Sequence, residues 1–185
     1  MSVIDPQAFW ALLAGMKVCM LITRDGAALR ARPMAPNVDA DREEIRFLTR
    51  RSTHKADEID DIGAVNLAFM AQGREDYVSV SGHAALSRDR KLIRAIWTRN
   101  DDIWFPEGPD GPDIAAIRVR ATMAEYWDTA DGARRYAWLR FRDPGTGLTG
   151  GKSRPARSQN PTIMRGKAKV KADAKPKPSS NAANR

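Results

Sequence analysis

The sequence predicts a mainly β, α+β domain: a six-stranded antiparallel barrel with short flanking helices, followed by a disordered basic tail. Three observations predict this class. Apolar runs rich in strand formers recur at short spacing, punctuated by turns such as Asp25-Gly26 and residues 73–76. Helical patterns are short and do not alternate with strands as βαβ units would. Aromatic residues stop at Phe141, and Gly, Pro, Ser and Lys dominate beyond it.

Asp5-Pro6 starts the first helix, since Asp caps well and Pro suits the first helical position. Phe9, Trp10, Leu12, Leu13 and Met16 form its apolar stripe, and it runs to about Gly15. Lys17 to Thr23 is nearly all apolar and reads as a strand buried on both faces. Ala27 to Met34 returns after the Asp25-Gly26 turn. Arg30 and Arg32 share one of its faces, and Pro33 places it at a sheet edge.

Glu44 to Leu48 is the third strand and Ala64 to Ala71 the fourth. Tyr77 to Ala85 is the fifth, with Tyr77, Ser79, Ser81 and His83 on one face and Val78, Val80, Gly82 and Ala84 on the other. Ser87 caps a helix from Arg88 to Trp97. Ile114 to Asp128 is the sixth and longest strand, with Ile117, Val119, Ala121 and Met123 inward. A last helix is expected over Ala133 to Arg142.

The domain is expected to span residues 1–143, and residues 144–185 are expected to form the disordered tail. That tail from Asp143 onward has ten Lys and Arg against two acids, which is the whole net charge of +8. Residues 1–142 balance 21 bases against 21 acids. The basic pI therefore describes the tail, whose Lys-Ala-Lys and Lys-Pro-Lys spacing suits non-specific nucleic-acid binding through residues 152–185, or simply a solubilising extension. Cys19 is the single cysteine and lies in an apolar run, so it reads as a buried hydrophobe. No zinc-like spacing and no metal cluster are visible. No leader pattern and no apolar run of about 18 residues occurs, so a cytoplasmic protein away from membranes is expected.

The stretch Thr49-Arg50-Arg51-Ser52-Thr53-His54-Lys55 joins the third strand to a helix over Ala56 to Asp61. Unpaired N–H groups at a helix start attract anions, and hydroxyls and an ammonium are donors for phosphate oxygens. A phosphate cradle is one reading. A capped surface helix with scattered charge explains the same residues, and the turn alone does not choose.

An ordered set of stretches carries a resemblance. They are Cys19 to Thr23, Arg30-Ala-Arg32-Pro33-Met34, Phe47-Leu48-Thr49 with Ser52-Thr53-His54-Lys55, and Tyr77-Val-Ser-Val-Ser-Gly82. Trp97, Trp104-Phe-Pro-Glu-Gly108 and Ala124-Glu-Tyr-Trp-Asp128 complete it. Together they resemble the pyridoxamine 5′-phosphate oxidase-like superfamily, in its general stress protein branch. The resemblance implies a split β-barrel homodimer binding FMN, with FAD the alternative flavin, in a groove between subunits. It implies that Arg32, Pro33 and Met34 lie along the isoalloxazine, and that Thr49, Thr53, His54 and Lys55 surround the phosphate with Ser52. It also implies that the Trp104 loop and Trp127 come from the partner subunit. Met34, Phe47 and Leu48 are apolar and suit the walls of a flat aromatic ring. Arg32 is a candidate for the flavin N1 edge, with Arg30 competing.

The implied activity is flavin binding in a stress protein, with an FMN-dependent oxidoreductase reaction open to it. The substrate-binding C-terminal segment of true pyridoxamine 5′-phosphate oxidases is not matched, so that reaction stands as the alternative. No Ser-His-Asp set or paired carboxylates occur at useful spacing, so any chemistry would be the flavin's own.

Overall fold

The computed structural model describes residues 2–3, 5–71, 76–128 and 135–141. The expected disordered tail, and with it the domain boundary at 143, lies outside them. Among the described residues no helix is long and apolar enough to cross a membrane.

The strands are β1 (Ser2–Val3), β2 (Cys19–Asp25), β3 (Ala28–Met34), β4 (Asn37–Asp39), β5 (Glu44–Arg50), β6 (Ala64–Met70), β7 (Tyr77–Ser87), β8 (Ile114–Asp128) and β9 (Arg135–Arg140). The helices are α1 (Pro6–Ala14), α2 (His54–Asp61) and α3 (Arg90–Ile96), with a 3-10 turn at Arg99–Ile103. All six expected strands form. Three more, β1, β4 and β9, extend the sheet.

The pairing order is β1-β9-β8-β7-β6-β2-β3, antiparallel except for β1 against β9. β8 carries β7 along one edge. Its other edge is divided: residues 114–120 pair with β5 and residues 123–128 with β9. One fifteen-residue strand thus belongs to two sheet segments that diverge. The sheet stays open, as a split barrel does.

Between Ser81 and Gly82 the register of β7 against β8 slips by one residue, and Thr122 is the extra residue. A bulge of this kind reverses the inside-outside phase beyond it. Before it Ile117, Val119 and Ala121 are buried; after it Ala124 and Asp128 are. Met123, expected inward, therefore sits opposite Ser81 on the outer face. Gly82 makes the close approach possible, because a Cβ there would overlap the Arg120 carbonyl oxygen.

The expected helix over Ala133 to Arg142 is a strand over its described part. Ala137, Leu139 and Phe141 are buried in alternation, a period of two that suits a strand and not a helix. β2 is buried on one face only, with Met20 exposed on the other. β7 continues to Ser87 because its pairing with β8 reaches Ala116. Asp89, not Ser87, then caps α3 by accepting from the Lys91 N–H at 2.9 Å. Pro33 does lie on an edge strand, since among the described residues β3 pairs only with β2.

The core gathers Phe9, Trp10 and Leu13 of α1 with Leu21, Ile45, Phe47, Leu67, Val80 and Val119. Asp5 fixes the start of α1 by accepting from the Ala8 N–H at 2.9 Å. Phe141 closes an aromatic group with Phe9 and Trp10 at 5.7 and 5.3 Å. Cys19 is buried, and burial pushes its thiol up to about 12. A smaller cluster of Ile93, Ile96, Ile114 and Ala116 lies under α3.

Gly82→Ala is expected to destabilise the domain by about 1–3 kcal/mol, because the obstacle is backbone and not a movable side chain. Urea unfolding of the two proteins measures this.

Candidate functional site

β5 delivers the chain into the turn before α2, and acids of the same chain order that turn. The Arg51 N–H donates to the Asp113 carbonyl at 2.7 Å. The Asp113 carboxylate accepts from the Ser52 N–H at 2.9 Å and from its hydroxyl at 2.6 Å. These bonds, the hydroxyl's first, hold the Asp113 carboxyl below its usual range. Thr53 is the N-cap, yet its hydroxyl donates backwards to the Arg50 carbonyl at 2.7 Å, so α2 begins without a side-chain cap.

The cations of this region divide sharply. Arg50 forks onto Glu107 at 2.8 and 3.0 Å and lies 5.7 Å over the Phe105 ring. Arg51 pairs with Asp60 at 3.0 Å. Neither arginine is simply solvated. His54 Nε2 is 3.1 Å from Asp25 and 3.5 Å from Glu58. Arg30 takes Asp25 at 2.7 Å, and Arg32 takes both oxygens of Glu58 at 2.7 Å. Lys55 has no carboxylate at ion-pair distance among the described residues, and its Nζ points at Met34 Sδ, 3.6 Å away. Burial first, then the Arg32 charge, lower its pKa, with Glu58 opposing.

Sequence reasoning missed Glu58, Thr23 and Asp25, which underlie this arrangement. Glu58 is buried and accepts from the Thr23 hydroxyl at 2.5 Å as well as from Arg32, which itself donates to Thr23 at 2.6 Å. The signal was present in part: Glu58 lies four residues after His54, on the same helix face. Asp25, His54 and Glu58 come close enough for one cation to touch all three. Arg30 and Arg32 already neutralise the two carboxylates, so a metal would have to displace a guanidinium. The cluster reads as an ion-pair network.

The other sequence-predicted residues fall in three places. Arg32, Met34, Thr53, His54 and Lys55 are brought together where β3 meets α2. Phe47 is in the main core at 1% exposure, and Thr49 is buried with its hydroxyl on the Arg50 carbonyl at 3.2 Å. Leu48 packs against the second cluster, under α3. Pro33 is exposed on the edge strand, and Ser52 is held by Asp113. Trp104 is 74% exposed; its carbonyl accepts from Arg50 at 3.3 Å, which ties its loop to the turn. Trp127 is apart from all of these, against Tyr136 at 5.6 Å.

Burial alone would raise the Glu58 pKa, but bonds from Thr23 and Arg32 outweigh it and leave it lowered. A lowered carboxylate stabilises the fold above its unfolded value of about 4.3 and loses that contribution as pH falls through the folded value. Glu58→Ala is expected to cost about 3 kcal/mol at neutral pH, leaving Arg32 without its partner. Glu58→Gln is expected to flatten the loss of stability below about pH 4.3. Urea unfolding across a pH series measures both.

Comparison with known proteins bears on the fold and the family. The chain resembles a solved general stress protein 26 of Bacillus anthracis at 18% identity, covering 74% of this chain and 98% of that one, with a TM-score of 0.63. It resembles a general stress FMN/FAD binding protein of Xanthomonas citri at 22% identity, covering 78% and 97%, with a TM-score of 0.60. At these identities the likeness is one of fold. Protein bli-3 of Neurospora crassa is 28% identical over 127 residues, which are 63% of this chain and 61% of that protein's length. The family model described as pyridoxamine 5′-phosphate oxidase like matches residues 5–143. The ordered motifs, the split sheet and this match across the whole described domain make the chain a member of the pyridoxamine 5′-phosphate oxidase-like family.

Proposed function

We propose that this chain binds FMN, as a cytoplasmic flavoprotein of the general stress type, with its phosphate at the start of α2. One observation carries the reading: Lys55 alone, among the described cations of the turn and of β3, has no carboxylate partner. A half-buried ammonium without a counter-ion favours an anion arriving from outside. The donor set fits a phosphate monoester bearing an apolar ring. The helix start has no side-chain cap, and an apolar thioether wall lies 3.6 Å from the ammonium.

In this reading Lys55 and the first N–H groups of α2 take the phosphate, and Thr49, Ser52, Thr53 and His54 shape the turn around it. Met34 forms a wall of the ring site, with Arg32 and Pro33 beside it on the same edge strand. Phe47 supports the site from the core and Leu48 from the cluster under α3. Arg32 is offset by Glu58 at 2.7 Å, so it brings little net charge toward a ring. When bound, the flavin supplies hydride and electron transfer; the chain binds, orients and excludes water. An FMN-dependent oxidoreductase activity follows from that division of labour, with FAD accepted if the site admits its larger tail.

The reading includes a homodimer. Met70, Tyr77, Trp127 and Tyr136 are direct cross-strand partners in one row across β6, β7, β8 and β9. Met70 is 62% and Tyr77 37% exposed, and such a continuous apolar row suits a second copy. Trp104, which is 74% exposed, is assigned in this reading to a contact with the partner copy.

Lys55→Ala is expected to weaken FMN binding by roughly 10- to 100-fold, the value of one charge-assisted contact, while Lys55→Arg retains most of it. Quenching of flavin fluorescence on titration reads the affinity. A protein that neither quenches FMN nor carries flavin absorbance when purified from cells would refute the assignment. Met70→Lys with Tyr77→Asp is expected to convert a dimer to a monomer in light scattering, without loss of secondary structure by circular dichroism.

A further inference from the structure

A cavity of about 290 Å³ opens on the outer face where β5, β7 and β8 run side by side, lined by Glu44, His83, Ala85, Arg118, Arg120 and Thr122 among others. Register builds it. His83 and Glu44 flank Arg120 from either side, and Ala85 stands opposite Arg118. Long polar side chains therefore surround a short stretch of sheet on which Ala85 is the small residue of the outer face.

The charges around it do not cancel. Glu44 is 3% exposed and accepts from Arg118 at 2.5 and 3.2 Å and from Arg46 at 3.1 and 3.2 Å. Arg46 also reaches Asp39 at 2.6 Å, and Arg42 reaches the same carboxylate at 3.0 Å. Three guanidiniums thus share two carboxylates. Arg120 comes only within 3.9 Å of Glu44 and makes no hydrogen bond among the described residues. The His83 side chain likewise has no polar partner among them. Burial disfavours the Glu44 charge, but the bonds from Arg118 and Arg46 outweigh that and lower its pKa, so Glu44 stays ionised and pins Arg118 in place. The surplus donors are Arg120, His83 and the outer edge of Arg118.

We propose that this cavity binds a small molecule bearing a phosphate group. The donors come from two adjacent strands and from three separate side chains, which suits a tetrahedral oxyanion; a planar carboxylate asks for one guanidinium fork. The volume is near the lower end of small-molecule pockets, about 300 Å³, and leaves room for a short organic group beside the phosphate. The site is separate from the apolar row proposed above. His83 lies six residues along β7 from Tyr77, roughly 20 Å at strand rise. It owes nothing to Lys55 and does not depend on flavin binding.

The test is isothermal titration calorimetry of the full chain with inorganic phosphate and, separately, glycerol 3-phosphate, at ionic strength held constant with sodium chloride. Lys55→Ala serves as background, so that the α2 turn does not contribute. Saturable binding of one anion per chain is expected there, weakened about tenfold or more by adding Arg120→Ala or His83→Ala. Arg120→Gln, which keeps the side-chain stem, is expected to weaken it as well, with an unchanged melting temperature showing an intact fold. Tighter binding of glycerol 3-phosphate identifies a phosphate ester as the ligand; equal affinity identifies the free oxyanion; both support the site. Absence of saturation in the Lys55→Ala background, or equal affinity with and without Arg120, overturns it.

Discussion

A buried carboxylate that stays ionised must be surrounded by donors, and Glu58 sets that condition where β2, β3 and α2 meet. Its oxygens draw Thr23 from β2, Arg32 from β3 and the imidazole of His54 from its own helix. Two strands and α2 are fixed relative to one another by this one group. The β2–β3 hairpin is an edge element whose outer side pairs with no other strand among the described residues, so packing alone would leave it loosely held. The ion pair holds it against α2, and the Met34–Lys55 approach follows from that docking.

The same requirement explains why a turn rich in arginine offers so few free cations. Arg50, Arg51 and Arg32 each meet an acid far away in sequence or on the adjoining helix: Glu107, Asp60 and Glu58. Asp113 treats Ser52 as an incoming anion would, accepting from both its N–H and its hydroxyl. The chain has built an internal counter-ion for nearly every charge near the helix start. Among the described residues of the turn the exception is Lys55, whose ammonium faces Met34 Sδ and which the phosphate proposed above would offset.

Much of this was legible in the sequence, and the remainder was hidden for identifiable reasons. Alternation identified β7 residue by residue, because one of its faces is buried and the other is not. Pro33 placed β3 at an edge, because proline lacks the N–H that an inner strand must donate. Residues 135–140 misled because Arg-Tyr-Ala-Trp-Leu-Arg carries good helix formers; only pairing with β8 makes it a strand, and tertiary pairing overrides local propensity. The partners of Arg32 and Arg50 could not be read, since they lie 26 and 57 residues away and no local pattern joins them. From the sequence Arg32 therefore reads as a free cation, whereas its charge is matched inside the chain.

The Thr122 bulge decides what the outer face of β8 presents. Before it, the outward residues are Arg118 and Arg120, opposite Ala85 and His83. After it they are Met123, Glu125 and Trp127, opposite Ser81, Ser79 and Tyr77. Without the extra residue, the alternation would carry Glu125 and Trp127 to the core side and turn Ala124 and Asp128 outward. Glu125 could not then accept from the Tyr136 hydroxyl, 2.8 Å away, and the row from Met70 to Tyr136 would be broken at its centre. One inserted residue thus divides a single strand face into a basic end and an aromatic end. Gly82 is the residue across the ladder that makes the insertion sterically possible, so its lack of a side chain underlies both surfaces.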